Sequence, residues 1–422
     1  MSTKKIILFD SWTKGSGHIF RLLDEIEKRS IEIILVHVGS WGDEIGRPIK
    51  ENIDGLDVID IQYYGSLKKV IQVENPDLVF FLSLDVITHR AFNRYCKYFN
   101  VPTVNLYHGV HSVFQTLDSD SRSLFSLWKN IMMRSYYLTR YSLSNYIFSL
   151  TETNATVDIW VELFIDMIRK LSGKAVIEAR NDSITDYICV LNKFDKQHAK
   201  EKYRMSESKI SIVGNPDILK FEGLQDEISA FTEIDNSSKE YITYIGSGVR
   251  STNMMLANDK DYYDHLMNVH DITTRANKKL VLKLHYSRIE KMKCMFEGNK
   301  IPVIFSDDSN YVKYLKDSCC SISEPSTAAL VPAFMGIPLF LAQFGLLSKV
   351  RYGSALTSYP RSVKLKRLES LNNMINNYVM PINNIETKEW ISSSTEPLPL
   401  EKMPSRVVDI FEKAIRNSEN EK

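Results

Sequence analysis

Imidazole is the side chain whose ordinary pKa lies nearest neutral pH, and this chain of 422 residues carries 9 histidines. Three stand in turns that invite chemistry. His18 lies in Gly15-Ser16-Gly17-His18-Ile19-Phe20-Arg21, His108 in Tyr107-His108-Gly109-Val110-His111-Ser112, and His285 in Lys283-Leu284-His285-Tyr286-Ser287-Arg288. A histidine held beside a glycine turn can act as a general base, and one between a lysine and an arginine can meet a phosphate. Each has a plainer reading: His18 as a residue that caps or packs a helix start, His108 as a loop residue without a role. His108 and His111 in tandem suggest a metal, but no nearby Cys or His completes a site. Asp307-Asp308 reads as a solvated turn. Metal-independent chemistry is expected, with no metal ligands and no cofactor.

Hydroxyls supply a second kind of chemistry. The turn Ser323-Glu324-Pro325-Ser326-Thr327 follows a strand ending at Ser321-Ile322 and precedes a small-residue helix over Ala328 to Met335. Gly336 stops that helix, and Ile337 to Leu341 restart a strand. Pro325 and Thr327 suit a helix N-terminus. Its free N–H groups and dipole suit a phosphate, to which Ser326 and Thr327 add hydroxyls. The same pattern serves an ordinary βαβ turn. Upstream, a strand over Tyr241 to Ile245 runs into Gly246-Ser247-Gly248-Val249-Arg250-Ser251. There backbone N–H groups can approach a phosphate and Arg250 can pair with one, or the segment is a plain turn.

The elements that must position these residues alternate. Strands are predicted at Lys5 to Asp10, Ile33 to Val38, Val58 to Ile61, Asp77 to Leu82, Pro102 to Leu106, Asp186 to Leu191 and Ile210 to Val213. Helices are predicted at Ile19 to Ile26, Ser66 to Glu74, Ile87 to Phe99 and Asp195 to Tyr203. This is a series of βαβ units, with ligands expected at the carboxyl ends of the strands. Polar, acidic residues 219–239 read as a linker. Alternation then resumes: helix Asp261 to Ala276, strand Lys279 to Leu284, strand Val303 to Phe305, helix Tyr311 to Lys316, helix Leu365 to Tyr378, and a last helix with Val407, Val408, Phe411, Ala414 and Ile415 on one face. The expected domains are 1–220, a linker 221–240, 241–385, and a tail with a crossing helix over 386–422.

Within the first half, residues 121–151 carry Arg122, Lys129, Arg134 and Arg140 and no acid, with Phe125, Trp128, Tyr136, Tyr137, Tyr141, Tyr146 and Phe148. Basic plus aromatic character suits a membrane surface; a helix pair packed on the domain is the alternative. Next, Val157, Trp160, Val161, Phe164, Ile168 and Leu171 form one helical face, with Asp158, Glu162, Asp166, Arg169 and Lys170 opposite, a pattern of core or partner packing.

Composition narrows the class. A net charge of +1 gives no reason to expect nucleic acid. Five cysteines without a CxxC pair read as reduced thiols of a cytosolic protein. The apolar run Ile6 to Phe9 ends at Asp10 and reads as a strand rather than a signal peptide. A cytoplasmic protein is expected, with peripheral contact at the inner face of the plasma membrane through 121–151.

Gly15-Ser16-Gly17-His18-Ile19-Phe20-Arg21 resembles the GxGHxxR turn of MurG-like GT-B proteins. His108-Gly109 resembles the His-Gly step of capsule and teichoic-acid transferases. Lys283-Leu284-His285 resembles their K-x-HP, with Tyr286 in place of Pro, and 319–342 resembles the Ser/Thr turn at a GT-B donor phosphate. Gly214-Asn215-Pro216 resembles the end of the first domain in transferases and epimerases of that superfamily. The resemblance implies an α/β fold of two Rossmann-like domains facing across a cleft (GT-B). It implies a glycosyltransferase of bacterial surface-polysaccharide synthesis that moves a sugar from a nucleotide-sugar donor to a glycan or lipid-linked glycan acceptor. His18 or His108 would be the catalytic base. Gly246, Ser247, Gly248, Arg250, Lys283, His285, Arg288, Ser323, Glu324, Ser326 and Thr327 would bind the donor, and Gly15, Ser16, Gly17 and Gly109 the acceptor. The alternatives are a nucleotide-sugar 2-epimerase or hydrolase of the same fold, and a non-catalytic Rossmann-like binding protein.

Overall fold

A computed structural model describes residues 3–11, 13, 16–41, 44, 46–84, 86–107, 109–110, 138–171, 181–215, 218, 220–221, 223–229, 239–247, 259–348, 350–377 and 384–420. Two sheets organise the chain. The first has eight strands in the order β3-β4-β2-β1-β5-β6-β7-β8, namely β1 Lys4–Asp10, β2 Ile31–His37, β3 Lys50–Ile53, β4 Leu56–Asp60, β5 Leu78–Phe81, β6 Thr103–Leu106, β7 Tyr187–Val190 and β8 Ile210–Ile212. The second has six in the order β11-β10-β9-β12-β13-β14, namely β9 Tyr241–Ile245, β10 Lys279–Lys283, β11 Ile304–Phe305, β12 Ser318–Ser323, β13 Leu339–Ala342 and β14 Ser362–Leu365. The strand pairs are parallel, except the edge hairpin β3–β4.

Parallel sheets need apolar cover on both faces, and β1 provides for it residue by residue. Ile6 and Leu8 enter one core, Ile7 and Phe9 the other. The second of these cores is closed by helices Leu67–Glu74, Ile87–Tyr98 and Ser144–Glu152. The first is continuous with the core of the second sheet.

Helix Met403–Asn420 returns to the first domain. Phe411 is fully buried with its ring 5.0 Å from Phe80. Arg29 reaches Asp409 at 2.7 Å and Glu412 at 3.2 Å. Trp390, on helix Asn384–Thr395, joins both domains: its ring is 6.0 Å from Phe194, 5.8 Å from Phe334 and 4.9 Å from Tyr359.

Several elements depart from expectation. The expected linker holds helix Leu224–Ser229, whose Leu224 is fully buried. Hairpin β3–β4 turns on Asp54 and Gly55, both at positive φ, a cue present in the sequence as Asn52-Ile53-Asp54-Gly55. Helix Val157–Leu171 does not turn the whole of its expected apolar face to the core, which leaves the partner-packing alternative for the rest. Val157, Val161 and Phe164 are 76%, 50% and 64% exposed, whereas Leu163 and Asp166 are buried. Buried Arg90 explains the inward Asp166. Its guanidinium meets Asp166 at 3.1 Å and Asp182 at 2.8 Å, and donates to the Tyr146 hydroxyl at 3.0 Å. Desolvation opposes the charge on Arg90, but these carboxylates outweigh it and raise its pKa. Tyr146 is therefore core rather than a surface aromatic. Residues 121–137 lie outside the described residues. Among the described residues no helix is long and apolar enough to cross a membrane.

Truncating Phe411 to Ala is expected to cost about 3–5 kcal/mol in urea unfolding. A loss under 1 kcal/mol would show that the returning helix does not hold the first domain.

Candidate active site

In the second sheet the chain steps from β9 to β10 to β11 on one side, then crosses to β12 on the other side of β9. The crossovers diverge there, leaving a crevice at the carboxyl ends of β9 and β12. Gly246 and Ser247 leave β9 at that point, His285 lies just beyond β10, and Glu324 to Thr327 leave β12. Motifs up to about 80 residues apart thus share one edge of the sheet.

Glu324 holds that edge together. It is 2% exposed. Its carboxylate accepts from the Ser247 amide at 2.8 Å, the Ser247 hydroxyl at 2.7 Å, the Tyr244 hydroxyl at 2.8 Å and the Tyr262 hydroxyl at 3.0 Å. Burial, and then the Glu324 charge, push both phenols well above their ordinary pKa, so they remain donors. His265 contacts the Tyr244 hydroxyl through Nε2 at 2.9 Å and stacks between the rings of Tyr262 and Phe344. Gly246 has no room for a side chain: a Cβ would lie 2.6 Å from the Tyr262 hydroxyl and 2.9 Å from Leu284 Cδ2. Tyr352 donates to the carbonyls of Ser323 and Ala342, tying β12 to β13.

These bonds revise several expected roles. Glu324 is a buried acceptor for the protein's own donors, not a group turned to a ligand. The Ser247 N–H is committed to Glu324, and the Gly246 N–H to the Lys283 carbonyl at 2.9 Å. Neither is free for a phosphate. Gly248 and Arg250 lie outside the described residues. Ser323 ends β12, and its hydroxyl donates to the Glu324 carbonyl. The helix expected over Ala328 to Met335 is a 3₁₀ turn, Thr327–Ala329, followed by the five-residue helix Leu330–Phe334. Its dipole is correspondingly small. Ser326 caps the turn, accepting from the Ala328 N–H at 3.3 Å.

Lys283 is also engaged. Its Nζ meets Asp308 at 2.6 Å, and Asp308 lies 3.5 Å from Lys220. Burial raises the Asp308 pKa, but Lys283 and Lys220 outweigh it and leave the carboxyl below its usual range. Asp308 is thus a charge partner rather than a merely solvated turn residue. Arg288 is 8% exposed and lies 4.4 Å over the Tyr262 ring. His285 is half-buried, with its carbonyl accepting the Arg288 N–H at 2.9 Å. Burial, then Lys220, Arg288 and Lys283, lower its pKa, so it rests neutral. Position 286 opens helix Tyr286–Gly298, and Pro is compatible with that first helical position but not required there.

The first sheet has its own switch point, between β1 and β5. Ser11 follows β1, and its Oγ lies 3.0 Å from His89 Nε2. His89 Nδ1 contacts the Ser83 carbonyl beyond β5. Neither Ser11 nor His89 was among the expected site residues; the cue was a Ser directly after a strand and a His in the first turn after the neighbouring strand. Beside them, buried His37 accepts the Gly39 N–H through Nδ1 at 3.1 Å, with Asp60 at 3.5 Å. Glu44 accepts from the Thr13 amide at 3.0 Å and hydroxyl at 2.9 Å. A Cβ at position 39 would fall 2.4 Å from Glu44 Oε2 and 2.9 Å from His37 Nδ1, so a side chain there would have to displace the Glu44 carboxylate.

Gly15 and His108 lie outside the described residues, as do the side chains of Ser16 and His18. Helix Ser16–Lys28 begins earlier than expected, so Gly17 and His18 belong to its first turn. A Cβ on Gly17 or on Gly109 would meet nothing within 4 Å.

No protein-family model matches the chain, and no curated protein matches it. Solved structures do resemble it. Wall teichoic acid polymerase TagF aligns with 98% of this chain and 89% of its own, at 14% identity and a TM-score of 0.49. S. aureus MnaA, solved with UDP, aligns over 98% and 97%, at 14% identity and a TM-score of 0.49. A putative UDP-N-acetylglucosamine 2-epimerase from Listeria monocytogenes aligns over 97% and 96%, at 13% identity and a TM-score of 0.46. At these values the likeness is one of layout and carries no chemistry across. The class rests on the chain's own architecture: an α/β protein of two Rossmann-like domains in series with a C-terminal helix returning to the first, the GT-B arrangement.

Two outcomes follow. Glu324→Ala strands four buried hydrogen bonds and is expected to cost about 3 kcal/mol or more in chemical denaturation. Retained stability would place those donors in water. Burial also lowers the pKa of His37, His265 and His285 from 6.5. Below pH 6.5 the unfolded chain then binds more protons than the folded one, so stability falls as pH falls. Urea unfolding from pH 7.5 to 5 should show that decline; a flat profile contradicts it.

Proposed function

We propose that this chain is a metal-independent glycosyltransferase, moving a sugar from a nucleotide-sugar donor to a growing surface-polysaccharide or lipid-linked glycan acceptor. The observation that supports the reading is that the segments after β10 and β12, with His285 and with Ser326-Thr327, leave the same edge of the second sheet on either side of β9, where Glu324 braces the turn after β9. In this reading His285 and the two hydroxyls meet the donor phosphates. A neutral half-buried histidine gains a proton partner when a phosphate arrives and can then stabilise the departing nucleotide. Arg288 adds positive potential from behind the Tyr262 ring, while Lys283 is paired with Asp308. Leaving-group stabilisation is thereby assigned to protein donors.

The acceptor falls to the first domain, with His18 or His108 as the expected base. A lipid-linked acceptor accords with the exposed apolar side chains Phe148, Val157, Val161 and Phe164 on neighbouring helices of that domain, 59%, 76%, 50% and 64% exposed. Their companions at 121–137 are basic and aromatic in sequence.

Thermal-shift titration with UDP, CMP, CDP and GDP tests the donor reading on the wild type and His285→Ala. A ligand at 100 times its Kd adds about 2.7 kcal/mol to stability, so one nucleotide should raise Tm clearly and the variant should lose that rise. No response to any of the four at millimolar concentration removes the donor site. For the surface, wild type should co-sediment with vesicles containing anionic phospholipid, and Phe164→Glu should reduce the bound fraction severalfold; equal binding by both rejects this face.

A further inference from the structure

We infer that Ser11 and His89 form a hydroxyl-to-imidazole proton relay on the acceptor side of the reaction, an inference that rests on the transferase reading. Ser11 is the first residue beyond β1, and His89 sits in the first turn of the helix that follows β5. These strands are parallel neighbours and flank the switch point of the first sheet. A ligand of this domain is therefore expected beside Ser11.

The hydrogen bonds assign the direction of proton flow. His89 Nδ1 lies within hydrogen-bond distance of the Ser83 carbonyl oxygen. A carbonyl only accepts, so Nδ1 carries the proton. In the neutral ring Nε2 then bears the lone pair, and the Ser11 hydroxyl 3.0 Å away donates to it. Asp10 Oδ1 lies 4.0 Å from the same Nε2. The rings of Phe9 and Phe81, at 5.3 Å and 6.2 Å, wall the imidazole from the sheet side. His89 is 2% exposed and does not reach a substrate itself, whereas Ser11 is half-buried at the strand end. Ser11 is thus the group that touches the acceptor, and His89 a positioning residue that receives the proton through it, in place of His18 or His108 as the base.

The step balances without a further reagent. The acceptor oxygen bonds to the anomeric carbon of the donor sugar as the bond from that carbon to the nucleotide phosphate oxygen breaks, its electron pair leaving with the phosphate. The acceptor O–H proton passes to Ser11 Oγ while the Ser11 proton passes to His89 Nε2. A bulky or lipid-linked acceptor and water are served alike, so hydrolysis reports on the relay.

The test uses the full chain with UDP-N-acetylglucosamine, CMP-N-acetylneuraminic acid and GDP-mannose, following nucleotide release to water and nucleotide-induced thermal shift. With the donor that turns over, Ser11→Ala should lower kcat by about 10²-fold or more, with KM and thermal shift within twofold of wild type. Ser11→Thr should restore much of the rate. The acid limb of the wild-type kcat profile should disappear in Ser11→Ala. Because His89→Gln risks misfolding in its aromatic surroundings, the second measurement is ¹⁵N NMR of histidine-labelled wild type, where the ring should show the Nδ1–H tautomer. A kcat for Ser11→Ala within threefold of wild type, or an Nε2–H tautomer, overturns the relay while a retained thermal shift leaves the donor site standing. Absence of turnover with every donor overturns the relay, and absence of any thermal shift as well overturns the donor reading with it.

Discussion

A carboxylate without water must find its donors within the protein, and Glu324 meets that demand with two phenols, a serine hydroxyl and a backbone amide. Much of the second domain's working edge follows from this. The Ser247 amide is drawn toward β12, which sets the exit of the chain from β9. Tyr262 is drawn in from the helix Asp259–Arg275, and its ring becomes the platform for Arg288. Gly246 is confined to glycine by the same hydroxyl. A charged acceptor buried among neutral donors orders its surroundings more strictly than apolar contact does, because every donor left unpaired carries a desolvation cost.

The two domains repeat one solution with different occupants. Each is a parallel sheet whose crossovers diverge beside its first strand, and each gathers polar side chains at the carboxyl end of that divergence. In the second domain the groups at that edge are His285, Ser326 and Thr327 beside the buried Glu324. In the first they are Ser11, His89, His37, Asp10, Glu44 and Asp60, a set richer in acids and suited to hydroxyls and protons. Helix Met403–Asn420 ties the end of the chain to the first domain through Phe411 and Arg29. The two halves are thus linked both by the 213–240 connection and by this return.

Strands and long helices were legible because their apolar pattern is local. β1, β9 and helix Ile87–Tyr98 lie within a residue or so of where periodicity puts them. The errors fall where a partner distant in sequence decides. Helix Val157–Leu171 has an amphipathic pattern, but buried Arg90 pulls Asp166 inward while Val157, Val161 and Phe164 stay outside. Lys283 reads as a phosphate contact until Asp308 arrives from another loop to pair with it. Ser11 and His89 are 78 residues apart, and only adjacent parallel strands bring them to 3.0 Å.

By itself the sequence determined the α/β class, the order of the βαβ units and the residue types at most strand ends, because each depends on local periodicity and on turn residues. The tertiary structure decided which of those residues are committed to the protein's own hydrogen bonds. It turned Glu324 from a ligand contact into a brace, withdrew the Gly246 and Ser247 amides from any ligand, and paired Ser11 with His89. The physical reason is that satisfying a buried polar group is a property of the groups packed around it, and those neighbours come from strands and helices that no local stretch of sequence specifies.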